Sequence, residues 1–114
     1  MTVDPSVLDG LTARLGDKGT TFRASLIQTW RDETTSRLAG LDEAVAGGDR
    51  DAVMVVAHTL KSSAAALGAQ SLAATCEQIE TGLRAGEDRD LAADTAALRA
   101  GAAEADQEFT RLWN

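Results

Sequence analysis

Tyrosine is absent, and the only aromatic residues are two Trp and two Phe. Single-stranded nucleic acid is held by stacking on several rings along a basic groove, and this chain offers neither. Basic groups are the minority: eleven Lys and Arg stand against eighteen Asp and Glu, net −7, with an isoelectric point near 4.5. Nucleic-acid backbones and anionic lipid surfaces both repel a chain of that sign. One cysteine, Cys76, excludes an internal disulfide and a thiolate zinc cage. One histidine, His58, excludes metal sites that need two imidazoles, so no metal site is expected. No apolar run approaches the ~20 residues of a membrane span. The opening Met1-Thr2-Val3-Asp4-Pro5 lacks the basic start and apolar stretch of a secretory signal. The cytoplasm is the expected location.

Pro5 is the only proline, and helix formers dominate, above all alanine. No stretch alternates like a strand. At 114 residues the chain suits one domain, 1–114. Five helical segments are predicted. Asp4-Pro5 caps a short first helix carrying Leu8, Leu11 and Leu15 and ended by Gly16. A second starts near Thr20 or Thr21, carries Phe22, Leu26, Ile27, Trp30, Leu38, Leu41 and Val45, and ends at Gly47-Gly48. Asp49 caps a third from about Arg50 to Leu67, stopped by Gly68. A fourth holds Leu72, Cys76, Ile79 and Leu83 and ends at Gly86. Asp88 or Asp90 opens the fifth, which runs through Leu91, Leu98, Ala102, Ala105, Phe109, Leu112 and Trp113. Short gaps between long helices favour antiparallel neighbours. The expected fold is all-α: an antiparallel up-down four-helix bundle with a short additional N-terminal helix. The two ends, Met1 and Trp113-Asn114, suit a free-standing protein, and a monomer is the expectation.

The third helix carries the chemistry. At about 100° per residue, Val53, Val56, Ala57, Leu60, Ala64 and Leu67 form one apolar stripe, and His58 lies opposite it. The single histidine is therefore expected to point to solvent. Its helix-surface neighbours are Met54 at i−4, Val55 at i−3, Lys61 at i+3, Ser62 at i+4 and Ala65 at i+7. An ordinary solvated face carries Glu, Lys and Gln. Here small residues let another surface come close, and Met54, Val55 and Ala65 supply contact area as a docking patch. Lysine is rare in the chain, with only Lys18 and Lys61, and Lys61 puts a mobile positive charge one turn from the imidazole. Cys76 lies on the apolar side of its helix and reads as a small buried hydrophobe.

Residues Ala57-His58-Thr59-Leu60-Lys61-Ser62-Ser63-Ala64-Ala65-Ala66-Leu67-Gly68-Ala69 closely resemble the signature of the histidine-containing phosphotransfer (HPt) domain family, roughly A-H-x-L-K-G-S-x-x-x-L-G-A. Asp4-Pro5 with Leu8 and Leu11, the Phe22–Leu41 helix, Gly48-Asp49 and Leu72–Leu83 resemble its flanks, so the likeness spans nearly the whole chain. The resemblance implies a four-helix bundle with a phosphoacceptor histidine on a solvent-facing side. By position His58 is that acceptor, and Lys61 is the lysine that neutralises phosphoryl charge. Ser62 replaces the usual glycine; it is still small, and its hydroxyl offers a hydrogen bond to a phosphoryl oxygen. Glu80 matches a position from which some members hold the imidazole. A carboxylate there would hold the Nδ1 proton by accepting its hydrogen bond and leave Nε2 as nucleophile; the alternative reading of Glu80 is a solvated surface charge.

The implied function is that of a phosphorelay carrier. It would accept a phosphoryl group from a receiver-domain aspartate, or from the histidine of a kinase, and pass it to a receiver aspartate. The partners expected are response-regulator receiver domains and hybrid histidine kinases, not nucleic acid or membrane. The partner receiver would bring the Mg²⁺. With no G-x-x-x-x-G-K-[ST] loop, the chain is expected to be a carrier and not an ATP-using enzyme. The competing reading is a helical adaptor that docks receiver or kinase domains without being phosphorylated.

Overall fold

A computed structural model describes residues 2–113, so Met1 and Asn114, the chain ends weighed above, lie outside the described residues. The described residues form helices and turns and no strand. In chain order the helices are α1 (Pro5–Thr12), α2 (Gly19–Ala39), α3 (Leu41–Ala46), α4 (Arg50–Ala66), α5 (Gln70–Arg84) and α6 (Leu91–Trp113), with a 3₁₀ segment, Ala13–Lys18, after α1. The assembly is a rod, 48 × 22 × 19 Å.

Two expectations are corrected. The second predicted helix is two helices, because the chain turns at Gly40. Leu38 and Leu41 are both buried across that turn, and Arg99 of α6 donates to the Leu38 carbonyl at 2.9 Å and to Asp42 Oδ1 at 3.0 Å. An outside donor thus satisfies a carbonyl at a helix end. The first helix does not run to Gly16: α1 ends at Thr12, and Leu15 lies in the 3₁₀ segment. Leu11 and Leu15 are both exposed. The inner edge of α1 runs from Leu8 to Thr12, and Thr12 lies so close to Gly19 that a Cβ there would sit 2.8 Å from its carbonyl oxygen. With Leu8 and Thr12 on the inner edge, Leu11 of α1 faces outward. Phe22 is exposed as well.

The core collects Ile27, Trp30, Leu38, Leu41, Val53, Leu60, Leu72, Ile79, Leu98 and Phe109. The Trp30 and Phe109 rings meet edge to face, centroids 5.3 Å apart, a geometry favoured by the ring quadrupoles. Gly101 lets α6 close on α5: a Cβ there would lie 2.9 Å from Leu72 Cδ1. Asp90 opens α6 by accepting from the Ala93 amide at 3.0 Å. Just ahead of it, Arg89 forks onto the buried Asp94 with two bonds of 2.9 Å. No described helix is long and apolar enough to cross a membrane.

Helix α4 is fastened at both ends. Asp49 accepts from the Ala52 amide at 3.0 Å. At the far end Gly68 takes φ +82°, the left-handed geometry in which side chains are strained, and its carbonyl accepts from the Asp4 amide at 2.8 Å. A Cβ at Gly68 would also lie 2.5 Å from the Asp4 carbonyl oxygen. The stretch leading into α1 therefore lies directly across the end of α4.

Candidate functional site

Along α4, Val53, Ala57, Leu60 and Ala64 are buried and His58 faces outward. The imidazole side chain is 55% exposed. Its Nδ1 lies 2.6 Å from Oε2 of Glu80, on the neighbouring helix α5. Glu80 follows the apolar stripe Leu72, Cys76, Ile79 and Leu83 and is itself only 3% exposed. Three cationic or donor side chains surround it. Lys61 Nζ donates to Oε1 at 2.6 Å, and Arg84 donates to Oε2 through Nη2 at 2.9 Å and through Nε at 3.3 Å. The hydrogen bonds of Lys61 and then Arg84 outweigh burial and, with His58, hold the Glu80 carboxyl down at about 2.

The proton assignment follows from that charge. An ionised carboxylate only accepts, so His58 Nδ1 carries the hydrogen and donates it to Glu80. In the neutral ring Nε2 then keeps its lone pair, and Nε2 makes no hydrogen bond to the described residues. The result is an outward nucleophilic nitrogen on a ring fixed from behind.

Lys61 is partly exposed and bonds a second carboxylate, Glu77 Oε2, at 2.9 Å. Its two carboxylate partners raise its pKa, Glu80 more than Glu77, and Lys61 in turn lowers that of Glu77. Ser62 and Ala65 are exposed beside the ring, and Val55 is 59% exposed. Among the described residues, no group of three or more His, Cys, Asp or Glu side chains is arranged to hold a metal. Burial drives the Cys76 thiol up to about 11, which leaves it an inert core side chain.

The profile of the Hpt domain matches residues 25–112. The chain belongs to the Hpt domain family. Hpt domains serve histidine phosphotransfer in two-component phosphorelays. Among solved structures, this Hpt domain is similar to histidine-containing phosphotransfer protein B (HptB) from Pseudomonas aeruginosa PAO1. The identity is 26% and the TM-score 0.80, over 96% of this chain and 92% of that one. No curated protein matches.

Set against the sequence expectations, this Hpt domain brings His58, Lys61 and Glu80 into one hydrogen-bonded group. Three details differ. Glu80 is a buried hub, so its alternative reading as a solvated charge is overturned. Lys61 is not a free ammonium, because two carboxylates hold it. Met54, placed in the exposed docking patch, is half-buried and packs against the core. Sequence reasoning missed Arg84 and Glu77. The signal for Arg84 was its i+4 spacing from Glu80, and Glu77 stands one turn before Glu80 on the same helix.

Proposed function

We propose that this Hpt domain carries a phosphoryl group on His58 Nε2. The observation that supports the reading best is the half-exposed imidazole whose Nδ1–H is held by an ionised, buried Glu80. The Nε2 lone pair attacks the phosphorus of a receiver's aspartyl phosphate in line. The N–P bond forms, the acyl O–P bond breaks, and the aspartate carboxylate leaves with that electron pair. The Nδ1 proton stays on the ring, which gains positive charge, and Glu80 faces that charge. Catalysis of this kind is mostly positioning and charge stabilisation. Glu80 sets the ring's angle and tautomer, while Lys61 offsets phosphoryl charge. Ser62 and Ala65 leave room for a receiver loop, and Val55 with the outer edge of Met54 supplies apolar contact.

The reverse step, onto a second receiver aspartate, empties the carrier. Response-regulator receivers and a hybrid histidine kinase are the proposed partners, acting in the cytoplasm on a monomer. The receiver supplies Mg²⁺ from its own acidic pocket. The whole chain acts as one carrier domain without ATP chemistry. Its short connections support an up-down antiparallel arrangement of the four long helices.

The test is incubation with a radiolabelled phosphoreceiver and Mg²⁺. Acid-labile, base-stable label is expected on this chain and none on His58→Gln. If wild type docks receivers but takes no label from any receiver of the same organism, the adaptor reading replaces this one.

A further inference from the structure

Glu77 belongs to the site's charge network, and neither the phosphoryl chemistry nor the fold accounts for it. Its side chain is 59% exposed, and Oε2 holds Lys61 Nζ at 2.9 Å. Its other partner is the Thr81 hydroxyl, which donates to Oε1 at 3.3 Å. An ammonium has three N–H donors. Glu80 takes one and Glu77 another. The two carboxylates differ in kind: Glu80 is buried and shared with His58 and Arg84, whereas Glu77 touches the site only through Lys61.

We propose that Glu77 sets how strongly the site retains its phosphoryl group, by competing with that group for the Lys61 ammonium. The inference rests on the phosphotransfer reading above. Around an uncharged imidazole, the charges of Lys61 and Arg84 cancel those of Glu77 and Glu80. A phosphoryl group on Nε2 puts nearly two negative charges on its oxygens, against one positive charge gained by the ring. One oxygen can take the third N–H of Lys61, but it then shares that ammonium's single charge with Glu77 and Glu80, and a second oxygen can bind only by displacing a carboxylate. Glu77 is the replaceable one, because water solvates it freely once released. Its charge therefore raises the energy of the loaded carrier relative to the empty one. A carrier needs that poise, since a phosphoryl group held too well is never passed on. Glu77 is thus a positioning residue that acts through Lys61.

The experiment measures the equilibrium constant for phosphoryl exchange between a labelled receiver and this chain, at concentrations below those that populate their complex. Under that condition docking strength alters the rates but not the constant. Glu77→Gln is expected to shift the constant about two- to fivefold toward the phosphorylated chain, the range of an exposed ion pair. The shift should shrink at ~1 M salt, where charges are screened within about 3 Å. In a Lys61→Ala background most of it should vanish. Glu104→Gln, which removes an exposed negative charge on α6, controls for net charge and should leave the constant alone. An unchanged constant in Glu77→Gln overturns the proposal. So does an equal shift in Glu104→Gln, or a shift that persists in full without Lys61. If wild type itself takes no label, the phosphotransfer reading fails; if wild type labels and Glu77→Gln matches it, only the part given to Glu77 fails.

Discussion

Replacing Glu80 by Gln removes one charge from beneath the imidazole and keeps the side chain's shape. The carboxyl sits 3% exposed with Lys61 at 2.6 Å, His58 at 2.6 Å and Arg84 at 2.9 Å. Moving a carboxyl from 4.5 to about 2 corresponds to about 3 kcal/mol at most. Lys61 and Arg84 are 30% and 60% exposed and recover hydration when the charge goes, so roughly 1–3 kcal/mol is expected at pH 7. The folded carboxyl binds its proton less readily than the unfolded one. Its stabilisation is therefore complete above about pH 4.5 and falls away as the pH drops through about 2. At pH 2 no more than ~0.5 kcal/mol should remain. Urea melts of wild type and Glu80→Gln at several pH values measure both ends. A gap between the two proteins that stays constant from pH 7 to pH 2 would refute the view that charge, rather than packing, is what Glu80 contributes.

Three further outcomes follow from the same geometry. Lys61→Ala should slow phosphotransfer at least about tenfold while leaving the helical circular-dichroism signal intact, since Arg84 and His58 still face Glu80; equal losses of transfer and helicity would contradict this. Phe109→Ala opens a cavity beneath Trp30 and should cost about 3–5 kcal/mol, read as a lower urea midpoint with an unchanged slope. Gly68→Ala forces a side chain into a left-handed turn and against the Asp4 carbonyl. It should cost about 1–3 kcal/mol and strip hydrogen-exchange protection from the Asp4 amide, which donates to Gly68.

How far the sequence reveals this molecule depends on the range of each interaction. Within one helix, spacing is enough: the stripe of Val53, Ala57, Leu60 and Ala64 places His58 outward, and Asp49 and Gly68 mark where α4 begins and stops. Between elements it is weaker. Nothing local says that Arg99 reaches across to Leu38, so the break at Gly40 is hidden among good helix formers. Leu8 and Leu11 share helical spacing, yet it is Leu8 with Thr12 that turns inward, beside Gly19 of α2. The site divides in the same way. His58 and Lys61 are legible because they share a helix. Glu80 was suggested by resemblance alone, because its burial depends on how α4 and α5 are rotated against each other. Arg84 and Glu77 gain meaning only once that rotation sets Glu80 between Arg84 and the ring and brings Lys61 of α4 within reach of Glu77.

The fastening of α4 at both ends bears on how a message travels. An Asx cap holds one terminus, and a left-handed glycine whose carbonyl accepts from the Asp4 amide holds the other. Both ends of the helix thus have their terminal backbone groups satisfied, which opposes fraying. On the proposed reading, what one visitor leaves for the next is written in the occupancy of a single nitrogen. Such a token can be read by successive proteins that share nothing but the ability to reach it.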